Sequence, residues 1–150
     1  MTFSSIQKRF LLFLVGCIGV RSLLVYVSKT ASMKNLQLLG YAALLPALGF
    51  AYIFLTNSRK TGGEVFGDKI WWNSLRPVHA LLYALFAYFA IMKNKNAWKI
   101  LALDLVIGLS SFVIYHISQG NFGKTLKSIL EFIITYLVIY PQFVLMKMMS

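Results

Sequence analysis

Four ionisable residues sit inside or at the edge of long apolar runs: Arg21, His79, Asp104 and Glu131. A charge at bilayer depth is costly, so such a residue marks a packed polar contact or a working site. The first run crosses away from the amino-terminal side and the fourth returns toward it. Arg21 lies about seven residues before the end of the first, and Asp104 about six residues into the fourth. At about 1.5 Å per residue these depths agree within about one helical turn. The spacing predicts an intramembrane ion pair, Arg21–Asp104, joining spans one and four. In the alternative, Arg21 reaches for the interface while Asp104 is protonated or bonded to a hydroxyl.

A second set of chemistry-bearing residues collects on the amino-terminal side. The segment from Gly62 to His79 carries Glu64, Asp68, Asn73, Arg76 and His79, and the topology brings His116 and Glu131 to the same face. Two His and three carboxylates suffice in number for a transition metal. However, neither a His-Glu-x-x-His nor a His-x-x-x-His spacing occurs, so no metal and no cofactor is assigned. A Gly-x-Ser-x-Gly elbow, a phosphate loop and a dinucleotide fingerprint are also missing, and no residue is assigned a catalytic role. The expected arrangement is a Trp-anchored loop whose charges pair with one another and with headgroups. Two alternatives stay open: a headgroup or small-anion site on Arg76 and Lys69, and an acid–base or metal site.

The elements that position these residues follow from composition. Hydrophobic residues make up 59% of the 150-residue chain and charged residues 13%, with a mean hydropathy of +0.71. A soluble domain carries about twice that charge. Five runs approach the ~20 residues needed to cross a bilayer: about 10–28, 36–55, 75–92, 98–117 and 126–146. The region 56–74 reads as an interfacial loop, with Trp71 and Trp72, and Trp98 elsewhere, as interfacial anchors. Backbone groups in lipid must be satisfied internally, and alternation of the strand type is absent. The expectation is therefore a single domain, an all-α polytopic transmembrane helical bundle of five spans. Four spans plus a re-entrant or interfacial segment is the open alternative, and Pro141 is expected to kink the fifth.

Helical spacing sorts the residues within the runs. Asp104, Gly108, Ser111, Tyr115 and Ser118 form one polar stripe, Glu131, Thr135 and Gln142 a second, and Cys17, Arg21 and Ser28 a third. Such stripes line a hydrated pathway or form interhelical seams, and seams are the commoner case. Ala43, Ala47 and Ala51, and likewise Ala80, Ala84 and Ala87, give small faces that let helices approach closely.

The net charge of +11 comes from Lys and Arg beside the span ends. There they meet anionic headgroups. No block of five or six cations makes a nucleic-acid patch. The amino-terminal side holds Lys8, Arg9, Arg59, Lys60, Lys69, Arg76, Lys124 and Lys127, and the other side Lys29, Lys34, Lys93, Lys95, Lys99 and Lys147. This small excess favours a cytoplasmic amino terminus. Leu14-Val15-Gly16-Cys17 has the look of a lipoprotein cleavage box, but the helix pattern continues to Ser28, so the first span is expected to be retained as an anchor. Cys17 is the lone cysteine, which excludes an intrachain disulfide.

The string Phe66-Gly67-Asp68-Lys69-Ile70-Trp71-Trp72-Asn73-Ser74-Leu75-Arg76-Pro77-Val78-His79, continuing through Leu82-Tyr83 to Phe86-Ala87, resembles a stretch of small uncharacterised multi-span proteins of large DNA viruses and algae. The resemblance implies a viral or algal membrane and brings no activity with it. The expected function is a non-enzymatic integral membrane protein with a membrane-structuring or interaction role, with the bilayer and a homo-oligomer as partners. One alternative is a small channel or proton-coupled transporter using Arg21, Asp104 and Glu131. Another is an intramembrane enzyme acting on lipid or quinone at the Glu64–His79 face.

Overall fold

The computed structural model of the chain describes residues 5–61, 70–124 and 127, with side chains from Lys8 onward. It is an all-α helical bundle. The first helix opens as α1 (Ser5–Leu11), passes through a π-helical segment (Leu12–Gly19) and continues as α2 (Val20–Thr30). It stops where Ala31 turns extended at ψ 145°, and Ser32 at once caps α3 (Met33–Thr56) by accepting a hydrogen bond at Oγ from the Asn35 amide. Asn57, left-handed at φ 48°, ends α3.

A short 3-10 turn (Asn73–Leu75) leads into α4 (Arg76–Ile91), whose Pro77 falls in the first turn, where a missing amide donor costs little. α5 (Trp98–Ser118) ends at Gln119 and Gly120. Gly120 is left-handed at φ 62°, and its amide donates to the Ile117 carbonyl.

Among the described residues, four helices are long and apolar enough to cross a membrane: Lys8–Thr30, Met33–Thr56, Asn73–Ile91 and Trp98–Ser118. The expected fifth span, 126–146 with Pro141, lies outside the described residues. Exposure explains the solvent this bundle needs. Leu45 is 75% exposed, Leu55 80% and Ile114 67%, and each belongs to a broad apolar exterior. In water such a surface would be an aggregation liability, whereas in lipid it is the expected exterior.

The interior is built from smaller residues. α3 and α4 run antiparallel, with Gly40, Ala43 and Ala47 buried beside Phe86, Ala87 and Ala90. At Gly40 the helices come so close that an added Cβ would lie 2.9 Å from the Ala90 Cβ and 3.1 Å from the Ala87 carbonyl oxygen. Gln37 ties the end of the pair by donating from Nε2 to the Ile91 carbonyl at 2.9 Å. The small face of α4 differs from the expected Ala80, Ala84 and Ala87 row. Arg76, His79, Tyr83, Ala87 and Ala90 are buried, and Ala84 is exposed. Steps of three and four residues from Arg76 keep one stripe inward, and Ala84 falls one residue off it. Both α2 and α4 also pack on α5.

Gly40→Ala is predicted to lower stability in detergent or nanodiscs by about 1–3 kcal/mol, because the contacted atoms are rigid. At Gly49 an added Cβ meets nothing within 4 Å. Gly49→Ala should therefore be neutral or stabilising, by up to about 1 kcal/mol from helix propensity. Thermal or denaturant unfolding of the two variants side by side checks the contrast.

Candidate functional site

Three side chains from three helices converge between α2, α4 and α5. Arg21 projects from the start of α2, His79 from the first turn of α4, and Asp104 from α5 near its second turn. Arg21 Nη1 donates to Asp104 Oδ2 at 2.7 Å and lies 3.5 Å from the Asp104 backbone carbonyl. His79 Nδ1 lies 2.5 Å from Asp104 Oδ1. The third side of the triangle is Arg21 Nη1 to His79 Nδ1, at 3.1 Å. Asp104 is 1% exposed and His79 4%. These values place the carboxyl group out of reach of bulk solvent, so its polar contacts must come from Arg21 and His79.

Glycine makes room for this arrangement. Gly108 is one turn beyond Asp104 on α5, and a Cβ built there would lie 3.3 Å from Arg21 Nη1 and 3.8 Å from His79 Cε1. The guanidinium thus lies over the bare backbone of α5. From α3, Phe50 closes the site, with its ring centroid 5.8 Å from His79 and 6.0 Å from Tyr83. The result is a polar centre enclosed by apolar and aromatic groups. In such surroundings electrostatic interactions strengthen, and an unpaired charge becomes expensive.

The remaining sequence candidates separate from this centre. His116 lies 12 residues along α5 from Asp104, about 18 Å at the helical rise. It packs edge-on to Phe10 at 4.8 Å and against Phe112 at 4.3 Å, and its Nδ1 is 2.8 Å from Asn121 Nδ2. Arg76 and Asn73 do come together: Arg76 Nη1 donates to Asn73 Oδ1 at 2.6 Å and to the Arg59 carbonyl at 3.1 Å, pinning the end of the α3 side to the start of α4. Glu64, Asp68 and Glu131 lie outside the described residues. Among the described residues, no three His, Cys, Asp or Glu side chains converge to hold a metal.

The aromatic anchors also acquire specific partners. Trp71 stacks on Tyr115 of α5 at 4.5 Å and 6°, and meets Trp72 edge-on at 5.3 Å. Trp98 receives Lys29 Nζ 4.9 Å from its ring, a cation–π contact joining the end of α2 to the start of α5.

The α5 polar stripe does not stay inward. Asp104, Gly108, Phe112 and His116 are buried, Ser111 and Tyr115 are half-buried, and Ser118 is exposed. The inner face advances by fours, which wind around the helix by about 40° a step, whereas the polar series alternates fours and threes and runs nearly straight along it, so the two part beyond Gly108. Ser28, on the first helix, is buried, but its Oγ donates to the Val25 carbonyl of its own helix.

Sequence spacing placed His79 with the loop residues rather than with Arg21 and Asp104. Counting residues from the nearer end of each span locates a residue only where the spans run parallel to the membrane normal. No family model, curated protein or solved structure matches this chain.

Removing one partner from a buried pair costs about 3–5 kcal/mol, because the other charge is left uncompensated. Arg21→Ala and Asp104→Asn should each lose stability on this scale. The exchanged double variant Arg21→Asp with Asp104→Arg should recover part of the loss. Unfolding measurements on the four proteins decide it, and an exchange no better than either single change would count against pairing as the source.

Proposed function

We propose that this chain is a multi-pass integral membrane protein with a non-enzymatic role, which binds anionic lipid headgroups at both ends of its helical bundle. The carrying observation is the placement of charge. Asp104 is the one carboxylate among the described residues, and it is buried against Arg21 and His79. Antiparallel contacts define the two ends: Gln37 with Ile91 and Lys29 with Trp98 at one, Phe10 with His116 and Phe122 at the other. Lys29, Lys34, Lys93, Lys95 and Lys99 are exposed at the first, and Lys8, Arg59, Lys60 and Lys124 at the second.

Cations beside a span end extend along the apolar stem and present their charge to phosphates. Each contributes about 1 kcal/mol near an anionic surface. A role without catalysis is supported by the way the triad's polar atoms are turned onto one another, which leaves none of the carboxylate presented to a substrate.

The test uses the full chain in nanodiscs of phosphatidylcholine with a minority of phosphatidylglycerol. Native mass spectrometry after release should find phosphatidylglycerol retained above its bulk share. Retention should fall with added salt and in the triple variant Lys93→Gln, Lys95→Gln, Lys99→Gln, by about fivefold for each lysine that engages a headgroup. Retention of both lipids in their bulk ratio would sink the headgroup reading.

A further inference from the structure

We propose that Arg21, His79 and Asp104 form a proton-binding site, in which a second proton taken up by His79 releases Arg21 and frees the first helix to shift. This does not rest on the headgroup reading. It rests on a conflict inside the triangle. Arg21 Nη1 is a donor only, and an ionised carboxylate is an acceptor only, but a ring nitrogen is one or the other.

With a proton on Nδ1, the 2.5 Å contact to Asp104 Oδ1 is a strong charge-assisted hydrogen bond. Two N–H donors then oppose each other across the 3.1 Å between Nδ1 and Arg21 Nη1. With a lone pair on Nδ1, Arg21 is satisfied, but two unprotonated acceptors face each other at the shorter distance. No single tautomer serves all three contacts. The shorter contact decides the resting state: Nδ1–H donates to Asp104, and Nε2 carries the lone pair.

In that state the three groups sum to zero charge: one guanidinium, one carboxylate and a neutral imidazole. A proton added to Nε2 makes His79 an imidazolium and raises the sum to one positive charge. Asp104 then has two cations for one negative charge, in an enclosure where an unmatched charge is expensive. His79 has its bond to Oδ1 from the inner face of α4. Arg21 is the more mobile claimant, since its long stem can carry the guanidinium outward; its side chain is already 10% exposed, against 6% for His79.

Among the described residues, the surroundings offer little else to absorb the proton's charge. From α5 the site receives Asp104 and the bare Gly108, and from α3 the uncharged Phe50 ring. From the first helix come Arg21 and, one turn earlier, Cys17. On α4 itself Tyr83 is one turn along, while Arg76, one turn before, is engaged by Asn73 and the Arg59 carbonyl.

The element that would respond is also present. The π-helical segment Leu12–Gly19 ends two residues before Arg21. A π-helix is rare and holds an extra residue per turn, so its return to α-helical bonding re-registers the helix beyond it. None of its residues is buried, and it meets the core through Phe13 stacked on Phe112, so a change of register there is felt at a ring contact rather than throughout the interior.

The experiment uses the full chain in nanodiscs of zwitterionic lipid, titrated from about pH 8 to about pH 5. Histidine-selective 15N magnetic resonance reads the two rings, with His116→Gln assigning the spectrum. Spin labels at Tyr26→Cys and Leu103→Cys, in a Cys17→Ser background, read the distance between α2 and α5. The expected result is loss of the unprotonated-nitrogen signal of His79, with a shift of about 1–2 Å or more in the spin–spin distance over the same pH interval. That shift should be absent in His79→Gln.

Three results would overturn the proposal. His79 could keep an unprotonated nitrogen down to about pH 5, both its nitrogens could protonate with no change of distance, or the distance shift could persist in His79→Gln. If His79→Gln fails to fold, the first two results, read on protein with His79 intact, still decide.

Discussion

The bundle depends on one buried carboxylate. Asp104 is 1% exposed and touches side chains from two other helices. A lone carboxylate there would be prohibitive in energy, and so would a lone Arg21. Each is tolerable because the other is present, and the geometry that makes it so fixes the positions of α2 and α4 on α5. Gly108 belongs to the same constraint, since a Cβ at that position would lie 3.3 Å from the guanidinium and press on it.

Two different kinds of force hold the helices. α3 and α4 are joined by shape: glycine and alanine remove bulk, backbones approach, and dispersion contacts accumulate along the interface. The inner half of the first helix is joined by charge, through Arg21, while its outer half is joined by rings, with Phe13 stacked on Phe112 at 4.0 Å. Shape contacts are indifferent to protons and salt. Charge contacts are not, and the first helix is where the bundle relies on them most.

The fold was legible in the sequence because its governing signal, runs of about twenty apolar residues, is one-dimensional. The Arg21–Asp104 depth match belongs to the same class, since both residues can be counted from one membrane face. The place of His79 does not. α4 has 16 residues and α5 has 21, so the two helices keep no common count from either face. Which residue meets which then depends on how the helices pack in three dimensions. The inward face of α4 was missed for a related reason. Ala80 and Ala84 are small, yet the buried stripe follows Arg76, His79, Tyr83 and Ala87, and side-chain size alone does not reveal where a stripe points. Gly108 was visible as part of a stripe, but its use as a cradle required knowing what came to lie above it.

The scarcity of acid ties the interior to the exterior. The chain has fifteen Lys and Arg and four Asp and Glu. Among the described residues the single carboxylate goes to the interior, where it neutralises Arg21. Its burial leaves the exposed lysines at the helix ends without a described carboxylate to balance them. In the proposed reading, phosphate headgroups, the anions nearest to a helix end in a bilayer, supply counter-charge there. An acid moved from the interior to a helix end would leave Arg21 uncompensated and would lower the positive charge of that end. The neutral core and the cationic rim are thus two consequences of one allocation of charge.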